Sequence, residues 1–149
     1  DNIRAHVRLP SISCASDDAE LAHALRSREA TLANTVQRAS QAVGFYSAEP
    51  QINIEKTSDC WLLSIAVEAG DPVLIKSVAI SIATDADLFA STLETLPLRE
   101  GRQLSHGDYE AAKAELSASA LELGFLDARF TLARLTIDKP LSKANLLIF

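Results

Sequence analysis

The sequence predicts an α+β protein built as two tandem β-α-α-β-β units, and three observations carry that reading. Residues 31–46 and 111–126 repeat one pattern. Leu32, Val36, Ala39 and Val43 fall at helical spacing and run into Gly44-Phe45-Tyr46. Ala112, Leu116, Ser119 and Leu123 do the same and run into Gly124-Phe125-Leu126. Each copy reads as a helix stopped by a glycine, which takes a left-handed cap conformation without a Cβ penalty. Stretches alternating with period two flank both helices, as half-buried strands do. Gly70-Asp71-Pro72 then marks a boundary, because a residue before proline avoids helix, and the order of elements restarts after it. A repeat of about 80 residues is too long for most solenoid units and fits two domains, 1–70 and 71–149.

The totals agree. The chain has 149 residues, 48% of them apolar, enough for a core. A unit of about 75 residues buries only about 60–65% of its unfolded surface, so each is expected to be marginal alone. The net charge is −6 and the lysines and arginines are scattered, which argues against nucleic acid as a partner. No apolar run approaches the roughly 20 residues of a membrane helix.

Along the first unit, Ile3, Ala5, Val7 and Leu9 alternate with Arg4, His6 and Arg8 as a strand. Pro10 to Ser16 reads as a loop. Asp17, Asp18 and Glu20 open a helix that Arg26 and Arg28 close, with acids at the positive end of its dipole. A second helix runs from about Glu29 to Val43. Ile52 and Ile54 mark the next strand, and Lys56 to Asp59 a turn. Trp61, Leu63, Ile65 and Val67 form one face of the third strand, and Leu62 and Ala66 on the other predict burial on both sides. In the second unit, Val78, Ile80 and Ile82 alternate as a strand. Asp85 and Asp87 open a helix that Pro97 and Gly101 break. Ser105 and Asp108 read as an N-cap with an acid three residues on. After the long helix, Phe130 and Leu132 start a strand whose alternation slips at Leu135 and Ile137, which predicts a bulge. Ala144 to Phe149 reads as a last apolar strand without a polar tail, the expected look of a piece of a longer protein.

Chemistry-bearing constellations are sparse. His6, His23 and His106 sit in separate elements, none at metal-ligand spacing with another His, Cys or acid. Ser105-His106-Gly107-Asp108 holds the letters of a catalytic triad, but a helix cap explains Ser105 and Asp108 fully. GxGxxG, GxxxxGK[ST] and GxSxG do not occur. Trp61 could serve as a binding aromatic, but a Trp at a strand start beside a turn reads as core or rim packing. The two cysteines, Cys14 and Cys60, lie outside any CxxC, and their number alone leaves unpaired thiols and a disulfide both open.

With the repeated order and the helix-Gly-Phe turns, several segments carry a family likeness. Ala42-Val43-Gly44-Phe45-Tyr46 with Pro50, Gly70-Asp71-Pro72-Val73-Leu74-Ile75, Gly107-Asp108-Tyr109-Glu110 and Gly124-Phe125-Leu126-Asp127 are the segments concerned. In their order and spacing the chain resembles tandem POTRA domains of Omp85-family outer-membrane assembly proteins, most of all the TamA branch. The resemblance covers nearly the whole chain, as first and second domains. It implies a three-stranded mixed sheet in each unit, order one-three-two, packed on two helices. It implies a non-catalytic interaction module without cofactors, at the periplasmic face of the outer membrane. The implied partners are client outer-membrane proteins and autotransporters, a TamB-like inner-membrane partner and the protein's own barrel, with no small-molecule substrate. The joined modules are expected to act as a semi-rigid arm. Parallel first and third strands would put Cys14 and Cys60 at opposite ends of the sheet, so the resemblance implies no bond between them. The alternatives are the POTRA region of another Omp85 or two-partner secretion transporter, or a periplasmic α+β enzyme or ligand-sensing domain.

The same strand order puts the second strand of each unit at a sheet edge, over Ala48 to Glu55 and Ala128 to Thr136. An edge strand offers unpaired N–H and C=O groups to an incoming extended chain. The candidate interaction residues are therefore Ala48, Gln51, Asn53 and Glu55, with Arg129, Thr131 and Ala133. A proline at Asn53 is expected to weaken such pairing and spare the fold.

Overall fold

The computed structural model describes residue 7 and residues 18–58 and 60–149. The chain divides into two compact units, Asp1–Gln41 with Phe45–Gly70, and Ala42–Gly44 with Asp71–Phe149. Apart from Val7, the expected first strand lies outside the described residues, as do the Pro10 to Ser16 loop, His6 and Cys14.

In the first unit a single helix, α1, spans Asp18–Ala42 where two were expected. Between Asp18 and Ala42 there is no glycine or proline, and the arginines taken as a helix end are good helix formers that continue it. Leu32, Val36, Ala39 and Ser40 are its buried face. The Ser40 hydroxyl donates to the Val36 carbonyl at 2.9 Å and so is satisfied inside the helix. Past Ala42, Gly44 adopts φ +93° and the Phe45 N–H donates to the Ser40 carbonyl at 3.0 Å, a Schellman stop.

Two antiparallel strands follow, β1 (Glu49–Lys56) and β2 (Trp61–Glu68), in register from Glu49↔Glu68 to Lys56↔Trp61. Thr57 closes their turn. Its N–H donates to the Cys60 carbonyl at 2.7 Å, and its hydroxyl accepts from the Cys60 N–H at 3.1 Å. The expectation that this last strand is buried on both sides is not met. Trp61, Leu63, Ile65 and Val67 are half-buried, whereas Leu62 is 50% exposed and Ala66 is exposed. A small unit covers one face of a sheet, and the other face stays in water. Cys60 is disulfide-bonded. This corrects the expectation that no such bond forms. That expectation required a three-stranded sheet with the cysteines at opposite ends. The described strands of this unit form a two-stranded sheet with Cys60 in a turn at its tip.

The second unit holds β3 (Leu74–Ile80), a 3-10 turn (Ala86–Phe89), the short α2 (Ala90–Thr95), α3 (His106–Glu122), β4 (Ala133–Asp138) and β5 (Lys143–Ile148). Its sheet has the order β3-β5-β4, with β3 parallel to β5 and β4 antiparallel to it. Asp85 caps the 3-10 turn by accepting from the Asp87 N–H at 3.1 Å. Ser105 caps α3 by accepting from the Asp108 N–H at 3.2 Å, the role the sequence predicts. Gly124, at φ +88°, ends α3 as Gly44 ends α1, with the Phe125 N–H donating to the Ala120 carbonyl at 2.9 Å.

Val73, Ile75, Leu104, Ala144, Leu146 and Ile148 fill the sheet side of this core, and Phe89, Leu96, Ala112, Leu116 and Ala120 the helix side. The ladder of β4 runs unbroken from Ala133↔Ile148 to Asp138↔Lys143. The slip read as a bulge there marks instead the start of the strand. The register shift of this sheet lies in β3, between Ile75 and Ser77.

Candidate functional site

A strand at the edge of a sheet directs its backbone groups alternately at its neighbour and outward. In antiparallel pairs, hydrogen-bonded and non-hydrogen-bonded residues alternate, and the latter face out. In the second unit Leu132 and Phe149 exchange both bonds, N–H to carbonyl at 3.3 and 2.8 Å. In the unbroken register, Arg134, Thr136 and Asp138 therefore face β5. Ala133, Leu135 and Ile137 present their N–H and C=O groups away from the sheet. Among the described residues no strand lies beyond β4.

The opposite edge of this sheet is partly covered. Alongside β3 the Ile75 N–H donates to the Arg102 carbonyl and the Gly101 N–H to the Ile75 carbonyl, both at 2.8 Å. Leu74 bridges Gln103. The open edge of the second unit is thus β4.

In the first unit, the Thr57–Cys60 bond sets the phase. Glu55, Asn53 and Gln51 are the residues that bond β2, and Pro50, Ile52 and Ile54 face outward. Pro50 has no N–H, which blunts this edge. The groove beside it, about 310 Å³, is lined by Arg26, Glu29, Ala30 and Ala33 of α1 with Pro50 and Ile52.

The predicted site residues separate accordingly. Ala48 is 2% exposed and precedes β1, so it belongs to the core. Gln51, Asn53 and Glu55 have exposed side chains, but their backbone groups are committed to β2. Their side chains engage each other and the hairpin. Gln51 Nε2 donates to Glu68 Oε1 at 3.0 Å, and Asn53 Nδ2 to Glu55 Oε1 at 2.6 Å. Arg129 and Thr131 precede β4, and the Thr131 N–H is spent on the Phe149 carbonyl at 2.8 Å. Ala133 alone of the seven lies in an edge strand with its backbone facing out. Sequence reasoning missed Ile52, Ile54, Leu135 and Ile137. Their side chains are half-buried on the inward face, and that same phase turns their backbones outward.

Beside β4 lies a cavity of about 790 Å³. Its walls include Ile80 at the end of β3 and Ile82 just beyond it, Leu116 and Ala120 of α3, Phe125, and Ile148 at the end of β5. Arg129 and Asp127 stand among its few charged lining groups.

Acid–base chemistry finds no comparable arrangement. Among the described residues there is no cluster of three His, Cys, Asp or Glu that could hold a metal ion. The Lys113 ammonium is held above its usual range by its hydrogen bond to the Glu110 carboxylate at 2.9 Å, an ion pair on α3. Burial pushes the Tyr46 phenol up. No described helix is long and apolar enough to cross a membrane.

Residues 1–69 match the family model for POTRA domain 1 of TamA. The match covers 69 of the chain's 149 residues and makes that part similar to a POTRA domain. Solved POTRA structures resemble the chain over most of its length. BamA POTRA3-5 of Haemophilus influenzae is 14% identical, with 83% of this chain and 47% of that one covered and a TM-score of 0.43. BamA of Haemophilus ducreyi lacking POTRA domains 1-3 is 13% identical, with 96% and 24% covered and a TM-score of 0.46. POTRA1-3 of Omp85 from Anabaena is 15% identical, with 99% and 52% covered and a TM-score of 0.43. The chain thus spans about half or less of the length of these relatives.

Proposed function

We propose that residues 1–70 and 71–149 are two tandem POTRA domains of an outer-membrane assembly and translocation factor of the TamA kind, and that extended polypeptides add to the edge of β4. The clients are outer-membrane proteins, autotransporters among them, and the standing partners are a TamB-like inner-membrane protein and the factor's own barrel. The single observation carrying the reading is the outward row of backbone groups at Ala133, Leu135 and Ile137. Main-chain pairing along such a row takes many sequences, as a factor that handles many unfolded clients requires. The match of residues 1–69 to a TamA domain supports the family half of the proposal. The order β3-β5-β4 and the Gly124-Phe125 stop, which repeats Gly44-Phe45, support reading the second unit as a second POTRA domain.

The test is a proline that removes an outward N–H without touching the ladder. Ala133→Pro and Leu135→Pro are expected to weaken binding of a fluorescein-labelled unfolded outer-membrane strand peptide, with far-ultraviolet circular dichroism unchanged. Unchanged binding by both folded variants would exclude β4 as the acceptor.

A further inference from the structure

Four of the chain's five phenylalanines, Phe89, Phe125, Phe130 and Phe149, line the cavity beside β4. This concentration sets the chemistry of the cavity. Phe89 and Phe125 stack on one wall, with ring centroids 6.2 Å apart and planes at 25°. Phe149 is 44% exposed and Leu126 is 78% exposed, so apolar surface meets water at the mouth. Among the described residues, no buried side-chain N or O atom lining the cavity lacks a hydrogen-bond partner. An entering group needs no polar handle inside. An aromatic ring gains most, because it adds stacked or edge-to-face contacts to the area it buries.

The place of the cavity says what arrives there. Residues 128–131 line it and run directly into β4. A strand paired to Ala133, Leu135 and Ile137 and continued by two to four residues travels about 7–13 Å at roughly 3.3 Å per residue. That stretch crosses Arg129 to Thr131 and reaches the cavity mouth. The groove beside β1 is smaller and is lined by Arg26 and Glu29 with small alanines, so it offers nothing comparable.

We propose that the β4 edge is selective, taking extended polypeptides that carry an aromatic side chain just ahead of the paired stretch, with that side chain seated among the phenylalanines. The inference rests on the reading of β4 as an acceptor edge. It adds that main-chain pairing supplies the generic part of binding and the cavity supplies preference.

The probes are three fluorescein-labelled peptides of about ten residues with alternating Thr and Val. One carries two phenylalanines at its N-terminal end, one carries them at its C-terminal end, and one has serines in their place. They are titrated against the 149-residue protein, Ala133→Pro, and two variants that plug the cavity from exposed positions, Ser117→Trp and Ala83→Trp. At least one phenylalanine peptide is expected to bind about tenfold tighter than the serine peptide. That gap closes in the folded plugged variants, while Ala133→Pro weakens all three. Equal binding of all peptides to the unaltered protein, still lost in Ala133→Pro, overturns the selectivity and leaves the edge standing. A gap that survives both plugs also overturns it. Binding indifferent to Ala133→Pro overturns the edge reading itself. N-acetylphenylalanine amide binding as tightly as the aromatic peptide would make the cavity a small-molecule site and contradict a polypeptide occupant.

Discussion

Two glycines do the same job and differ in their surroundings. Gly44 and Gly124 both sit past a helix end, at φ +93° and +88°. A Cβ at Gly44 would meet the Leu104 carbonyl oxygen at 2.5 Å, whereas one at Gly124 would meet nothing within 4 Å. Gly124→Ala therefore bears only the left-handed backbone penalty, about 1 kcal/mol. Gly44→Ala adds a backbone clash, and its loss is expected to reach about 3 kcal/mol. Urea midpoints at constant slope measure both, and equal losses would mean that the Leu104 carbonyl gives way. At this scale the sequence was readable wherever a residue has one physical job. The Ser105 cap and the two glycine stops came from local rules alone. Ala48 was misread because a residue just outside a strand carries no signal of its burial. The bond at Cys60 is not legible from a sheet order, because the residue sits in the turn between two strands rather than within one.

The elements show where periodicity informs and where it misleads. β1, β2 and β5 follow their alternation closely. The break expected within α1 does not occur, since a run of arginines resembles a helix end but lacks the glycine or proline that makes one. The start of β4 was blurred because Phe130 and Leu132 are half-buried without being in the strand. The candidate edge was legible as a segment but not in phase, since the eye picks polar outward side chains and the free backbone belongs to their neighbours. Asn53 illustrates this. Its N–H faces β2, so a proline there disrupts the hairpin, contrary to the expectation from sequence. Within β4 the same phase predicts opposite outcomes three residues apart. Thr136→Pro removes a bond to β5 and leaves a carbonyl unpaired, an expected loss of about 2–3 kcal/mol. Ala133→Pro, at an exposed outward position that opens the strand, is expected to leave stability nearly unchanged. Thermal melts of the two variants check the phase directly, and similar losses would place Ala133 in the ladder.

For the whole molecule, the fold class and the likeness of residues 1–69 to a POTRA domain were readable because the same turn recurs after each long helix and the order of elements restarts at Gly70. Disulfides such as the one at Cys60 persist in oxidising compartments. A reductant is expected to destabilise the protein by about 2–4 kcal/mol, chiefly in the first unit. Fluorescence of Trp61, the single tryptophan and a residue of that unit, reports it. An unchanged midpoint would make the bond structurally idle.

The central claim is that three particular amides await a partner strand, and amide hydrogen exchange read residue by residue tests it most directly. In the free protein, Ala133, Leu135 and Ile137 should exchange fast while Thr136 is protected. On saturation with the aromatic strand peptide the first three should slow and Thr136 should hardly change. Protection of all four before the peptide is added, or fast exchange of the three while the peptide is bound, would contradict the account.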